Sequence, residues 1–168
     1  MKHILALILL WVTALGAYAA PTDQPVTSHF AWGGSLGSTV DLSGQDLSAI
    51  DLDFHVGYRW RWIKFAGAGV GAQMMVSNGS RAFPLYAQFR TNFSPKRTLV
   101  FWDLKLGVSV NYIEGYANST GEYASTGIGF NVARGLRYTT HILLNYTYQK
   151  LPSKPLNGVT LTIGVTFH

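Results

Sequence analysis

The sequence predicts an all-β chain, an eight-stranded antiparallel up-and-down transmembrane β-barrel behind a cleavable signal peptide. Three observations predict it. From about residue 48 to His168, apolar and polar residues alternate with a period of two in stretch after stretch. Turn-forming clusters of Gly, Pro, Asn, Asp and Ser divide the chain beyond residue 28 into eight such stretches. The amino terminus has the make-up of an export signal.

The signal comes first. Lys2 and His3 supply a short basic start, Ile4 to Trp11 an apolar run, and Ala17-Tyr18-Ala19 a small-x-small cleavage site. Read as a membrane anchor, the apolar run is too short for the ~20 residues a spanning helix needs. The expected organisation is therefore a signal peptide over 1–20, a short periplasmic segment over 21–28 and the barrel over 29–168. With 168 residues there is room for one domain. The chain has no cysteine, which excludes a disulfide framework, thiol catalysis and an acylated cysteine after the signal. Thirteen Lys and Arg stand against eight Asp and Glu, and Lys2 would leave with the signal. A surplus that small and that scattered does not point to nucleic acid.

The strands are expected near 29–40, 48–62, 63–77, 82–93, 99–113, 121–134, 138–151 and 158–168. Each is near the ~9–11 residues that cross a bilayer at a tilt. An even count lets the sheet close with both termini on one side, and closure matters because lipid offers no hydrogen bonds to an open edge. The first stretch is ambiguous, since Phe30, Trp32, Leu36 and Val40 suit lipid but Gly34 and Ser38 intervene.

The second stretch is the clearest. Its even positions read Ile50, Leu52, Phe54, Val56, Tyr58, Trp60 and Trp62; its odd positions read Asp51, Asp53, His55, Gly57, Arg59 and Arg61. Successive side chains of a strand point to opposite faces, so one face is wholly apolar and the other charged. In a water-soluble barrel the apolar face would point inward. Here it is rich in aromatics, recurs on every later strand and follows an export signal, so it is expected to face lipid.

Later strands continue the outward set. The third offers Ala66, Ala68, Val70, Ala72, Met74 and Val76, the fourth Phe83, Leu85, Ala87, Phe89 and Phe93. The fifth offers Val100, Trp102, Leu104, Leu106, Val108, Val110 and Tyr112, and the sixth Ala124, Ile128, Phe130 and Val132. The seventh gives Ile142, Leu144, Tyr146 and Tyr148; the eighth gives Val159, Leu161, Ile163, Val165 and Phe167.

With the amino terminus in the periplasm, Phe30, Trp32, Tyr58, Trp60, Trp62, Phe93, Phe101, Trp102, Tyr138 and Phe167 are expected at the periplasmic rim. Tyr112, Tyr116, Tyr123, Tyr146, Tyr148 and Phe83 gather at the other. Two aromatic girdles are what membrane–water interfaces select.

The inward set includes Asp51, Asp53, His55, Arg59, Arg61, Gln73, Tyr86, Gln88, Arg90, Asp103, Lys105, Asn111, Asn131, Asn145 and Gln149. Eight strands leave a lumen that side chains can fill, so these residues predict a polar core rather than an ion path or proton relay. Both signs of charge are present, as burial requires. Gly67, Gly69 and Gly71 are expected beside Arg61, Arg59 and Gly57, leaving room for two guanidinium groups. The turn at Ser94-Pro95-Lys96-Arg97 is expected to pair Phe93 with Val100 and to set Arg90 opposite Asp103 in a charge-assisted, bidentate-capable pair.

Catalytic signals are thin. Enzymes acting on lipid A use barrels of this size, and a hydrolase needs Ser, His and an acid together near a rim. His29 and His141 are expected to point inward, His55 lies mid-barrel and His168 ends the chain; none has a serine beside it on the lipid face. His and carboxylates form no cluster with metal-ligand spacing. The glycines of 66–71 and 127–129 lack the strand–loop–helix setting of a nucleotide fingerprint and read as strand glycines. Four N-glycosylation sequons, at Asn78, Asn92, Asn118 and Asn145, carry no weight outside a eukaryotic secretory path. No cofactor is expected. Short outer connections near 41–47, 78–81, 114–120 and 150–157 carry Asp41, Asp46, Arg81, Glu114, Glu122, Lys150 and Lys154, which suit lipopolysaccharide phosphates, divalent ions or plain solvation.

Phe83-Pro84-Leu85-Tyr86-Ala87-Gln88-Phe89-Arg90 and Asp103-Leu104-Lys105-Leu106-Gly107 resemble the small outer-membrane β-barrel family common in the Bacteroidota, and more distantly the OmpX-like barrels. Gly127-Ile128-Gly129-Phe130 and Leu161-Thr162-Ile163-Gly164-Val165-Thr166-Phe167 extend the resemblance over most of the mature chain. It implies the outer membrane, its lipids and lipopolysaccharide as surroundings, and assembly by the barrel-insertion machinery. The last strand looks like that machinery's C-terminal signal, with the aromatic one residue before the end. The resulting expectation is a non-enzymatic barrel with a polar plugged interior and a structural or surface-interaction role, with an unknown extracellular partner among its expected contacts. The alternatives are a lipid A-modifying barrel enzyme and a secreted lipocalin-like binding barrel.

Overall fold

The computed structural model describes residues 30–168 except 45, 46, 61, 62, 78, 95, 96, 136 and 153, and not the side chains of 94, 97 and 98. The signal peptide, segment 21–28, His29, Asp46, Arg61, Trp62 and Asn78 therefore lie outside the described residues.

Among the described residues there are eight strands: β1 (Phe30–Asp41), β2 (Ala49–Tyr58), β3 (Ile63–Met75), β4 (Arg81–Ser94), β5 (Arg97–Tyr112), β6 (Ser119–Arg134), β7 (Tyr138–Gln149) and β8 (Leu156–Phe167). Each pairs antiparallel with its sequence neighbours, and β1 pairs with β8, from Trp32 opposite Phe167 to Asp41 opposite Gly158. The sheet is thus a closed barrel in which no strand presents an unpaired edge.

The two ends differ. At the turn end, where β1 begins and β8 finishes, the connections β2–β3, β4–β5 and β6–β7 are tight. Three register shifts lie there, between Ile63 and Phe65, Asn92 and Ser94, and Asn131 and Ala133. Bulges of this kind bend the strand and raise its local twist, and they are common at barrel rims. At the loop end, Gly44, Gly79 and Gly115 have φ of 71°, 67° and 81°. A Cβ would be strained at such angles, so glycine turns the chain there.

The exterior is apolar. Leu36, Leu52, Leu85, Leu106, Leu144 and Leu161, on six different strands, are each more than half exposed, and Val70 and Ile128 complete the belt. A water-soluble barrel with a ligand cavity requires these side chains inside, so the arrangement is the reverse of a lipocalin's. A continuous apolar band around a closed barrel matches lipid contact.

Four expectations are corrected. The β2–β3 hairpin turns earlier than expected, with the Trp60 amide donating to Ile63 O at 2.9 Å. Gly67, Gly69 and Gly71 therefore face Gly57, His55 and Asp53, and the ring of Tyr86, not a guanidinium, occupies the space over Gly69. Phe93 falls in the irregularity between Asn92 and Ser94 rather than in the ladder opposite Val100. Phe101 and Tyr123 point into the barrel and are buried. Nearness to a strand end does not decide the face; parity does, and both alternate with the outward Trp102 and Ala124. The fourth correction concerns the Arg90–Asp103 contact and is described below.

Candidate functional site: the packed lumen

The lumen is filled in layers. At the loop end Leu47, Ala49, Met75, Ile113, Leu151 and Leu156 form a buried apolar cluster. Sequence reasoning missed it, because a rule assigning every inward position to polar residues passes over Ala49, Met75 and Leu156. Their parity with Asp51, Gln73 and Thr160 is the signal that identifies them.

Beneath this cap lies a belt of hydroxyls and amides. Thr39 Oγ1 donates to Asp51 Oδ2 at 2.6 Å, and hydrogen bonds link Thr39 to Thr160 (2.7 Å), Thr160 to Thr147 (2.8 Å) and Thr147 to Ser125 (3.1 Å). Opposite, Gln149 Nε2 donates to Ser109 Oγ (3.0 Å) and to Asn111 Oδ1 (2.8 Å), and Asn111 Nδ2 donates to Lys150 O (3.1 Å). Together the two networks tie six strands, β1, β2, β5, β6, β7 and β8.

The middle of the lumen holds two ion pairs. Lys105 Nζ lies 2.7 Å from Asp53 Oδ2, and Tyr86 Oη donates to Asp53 Oδ1 at 2.8 Å. Arg90 Nε lies 2.7 Å from Asp103 Oδ1, which also accepts Gln88 Nε2 at 2.7 Å. The Arg90–Asp103 pair is one-pronged rather than bidentate: Nη1 reaches Thr166 Oγ1 instead, at 3.3 Å. The guanidinium lies 5.6 Å from the centre of the Phe65 ring and 5.7 Å from that of Phe101. His55 lies edge-on to Phe65 and contacts Thr166 Oγ1 at 3.2 Å.

Toward the turn end the interior becomes cationic. Lys64 Nζ sits 3.8 Å over the Phe101 ring and donates to Asn131 Oδ1 at 2.6 Å; Arg59 Nε donates to Lys64 O at 3.2 Å. In the β2–β3 turn, burial and the charges of Arg134 and Arg90 lower Arg59 to about 10. Just past β8, burial and the charges of Arg59 and Arg134 lower His168 to about 4, so its ring is neutral at pH 7.

Asp51, Asp53, His55, Arg59, Arg90, Asp103 and Lys105 are all buried in the lumen. Of the girdle residues, Trp32, Trp60, Phe93 and Phe167 are exposed around the turn end, and Tyr112 and Tyr146 around the loop end; Trp102 and Tyr148 are half-buried. Trp32 stacks on Phe167 with centroids 4.6 Å apart, across the β1–β8 closure. Trp102 Nε1 donates to Thr126 Oγ1 at 2.9 Å. Among the described residues no group of three His, Asp or Glu side chains gathers in metal-ligating range.

No protein-family model matches the chain, and a search of the curated proteins finds no match. Solved structures do match. The chain is similar to the Yersinia pestis outer membrane protein Ail in a phospholipid bilayer nanodisc, with 14% identity and a TM-score of 0.51, over 82% of this chain and 99% of that one. It is similar to Neisserial surface protein A (NspA), with 16% identity and a TM-score of 0.51, over 83% of this chain and 95% of that one. At these identities the likeness is one of fold: the chain has the closed eight-stranded architecture of small outer-membrane β-barrels.

Proposed function

We propose that the chain is an integral outer-membrane protein, exported by a cleaved signal, inserted by the barrel-insertion machinery, and non-enzymatic. Its role is structural or surface-interactive in the cell envelope. The observation that carries this reading is the combination of an apolar exterior belt with an interior of buried polar and ion-paired side chains beneath an apolar cluster. The belt suits lipid as the outer solvent, and the side chains buried along the lumen favour a plugged interior over an open channel. Ail, a barrel of the same fold, sits in a phospholipid bilayer nanodisc, and NspA is a surface protein by its name. The exposed Arg81, Glu114, Glu122, Lys150 and Lys154 at the loop end offer charge to lipopolysaccharide phosphates or to an extracellular partner.

Two measurements test the reading. The chain is expected in the detergent-soluble outer-membrane fraction, with a mobility on detergent gels that changes on heating. Recovery in the aqueous phase without detergent removes the membrane assignment. Lipid A mass spectra are expected to be unchanged by deletion of the gene; a lost or gained acyl or phosphate species removes the non-enzymatic one.

A further inference from the structure

At the loop end, the start of β4 and the end of β5 line a cleft with about 550 Å³ of room, inside the ~300–1,000 Å³ range of small-molecule sites. Arg81 stands opposite Tyr112 in the β4–β5 ladder, and Phe83 follows two residues on, on the same outward face. Phe83 and Tyr112 supply the apolar part of the lining. They are exposed and packed edge to face, with centroids 5.8 Å apart. Arg81, Glu114 and Asn118 supply the polar part and are also exposed. The cleft thus spans the boundary between the oily belt and the charged rim.

Its backbone is anchored. The buried Ser80 Oγ accepts the Glu114 amide at 3.1 Å, which ties the β5–β6 connection to the β3–β4 turn. The Met75 amide donates to Ser80 O at 2.9 Å, and the Tyr116 amide to Ile113 O at 3.1 Å. Backbone ordered in advance lowers the cost of holding a guest. Arg81 and Glu114 carry opposite charges in one cleft, yet form no ion pair with each other. A simple anion drawn to Arg81 meets repulsion from Glu114, and a simple cation the converse. A guest with both signs a few bonds apart, continuous with hydrocarbon, suits the charges and the aromatic lining together.

We propose that this cleft binds the headgroup of a single zwitterionic phospholipid of the phosphoethanolamine class, drawn from the membrane around the barrel. The phosphodiester accepts N–H from the Arg81 guanidinium and the Asn118 amide. The ammonium meets the Glu114 carboxylate and the Tyr112 ring. The acyl chains leave past Phe83 along the belt. This site rests on the membrane placement proposed above and adds a lipid identity to it.

The experiment uses the folded full barrel in uncharged maltoside micelles doped at equal mole fraction with phosphatidylethanolamine or phosphatidylglycerol. Native mass spectrometry counts the lipid that stays bound. The parent is expected to retain one phosphatidylethanolamine in preference to phosphatidylglycerol. Arg81→Gln is expected to weaken retention of both lipids by about fivefold. Glu114→Gln is expected to weaken phosphatidylethanolamine alone and so erase the preference. Both side chains are exposed, and heat-dependent gel mobility checks that each variant is folded. Phosphatidylglycerol held as well as phosphatidylethanolamine by the parent overturns the proposal, as does a preference that survives Glu114→Gln or retention unchanged in Arg81→Gln. Displacement of the lipid by soluble phosphoethanolamine at equal concentration also overturns it, since the cleft then serves a dissolved ligand. Any of these results with the barrel still in the detergent fraction leaves the membrane placement standing.

Discussion

Arg90 and Asp103 face one another in the β4–β5 ladder, their side chains joined through Nε and Oδ1 at 2.7 Å with 2% and 0% of their surfaces exposed. A pair sealed this deeply has lost its hydration on both sides, so the cost of breaking it differs from the value of having it. Asp103→Ala leaves a guanidinium stranded between Phe65 and Phe101 and is expected to destabilise the barrel by about 3–5 kcal/mol. Arg90→Met with Asp103→Leu removes both charges and is expected to cost less than Asp103→Ala alone, even though Gln88 loses its acceptor. Urea titration of the folded barrel in micelles gives both values. A double variant less stable than the single one contradicts the account.

This pair was legible in the sequence because Ser94-Pro95 marks its turn and counting outward reaches both residues. The outward set was legible for a similar reason: lipid demands an apolar side chain at every second position, so Phe54, Leu106 and Leu161 declare their face. The β2–β3 register was not. No Asn-Gly or Asp-Gly pair stands in Arg59–Lys64 to mark the bend, and the hairpin closes at Trp60 and Ile63 instead. The apolar cap and the inward Phe101 escaped for a different cause, since a filled lumen accepts any side chain whose volume and partners fit.

The corrected register makes Gly69 a sharp probe. A Cβ there would come within 2.5–2.8 Å of the Tyr86 ring and of nothing else so near, and that ring's hydroxyl holds Asp53. Gly69→Val is expected to cost about 1–3 kcal/mol through overpacking. In a Tyr86→Ala background most of that cost disappears. At Gly107 the added carbon meets the backbone at Leu85 and Tyr86 instead, so Gly107→Val is expected to destabilise equally in both backgrounds. The double-mutant cycle, read by urea midpoints, decides it; additive costs at Gly69 contradict the packing described.

If the lumen is plugged in series, opening the cap alone does not make a channel. Leu156 is fully buried in the cap, and Leu156→Ala is expected to cost about 2–5 kcal/mol. The Ser109–Asn111–Gln149 network and the two ion pairs remain beneath it. Single-channel recording in planar bilayers is expected to show no conductance for the parent or for this variant. Steady conductance in Leu156→Ala locates the barrier in the cap rather than in the polar layers.

The apolar belt predicts how depth governs the cost of a charge. Leu144 stands in the middle of β7 and faces outward, 53% exposed, while Tyr138 opens the same strand at the turn end and is 40% exposed. Leu144→Arg is expected to destabilise the barrel in bilayers by about 2–4 kcal/mol, and Tyr138→Arg by about 0–1 kcal/mol. Because the chain has no cysteine, Leu144→Cys and its inward neighbour Leu143→Cys allow a parallel check without background labelling. A polarity-sensitive dye on Cys at 144 is expected to be quenched by spin-labelled lipid. A maleimide is expected not to reach Cys at 143, which is fully buried, unless the barrel is first unfolded. Equal costs for the two arginines, or labelling at 143 with protection from lipid at 144, place the oily face on the wrong side and remove lipid as the barrel's surroundings.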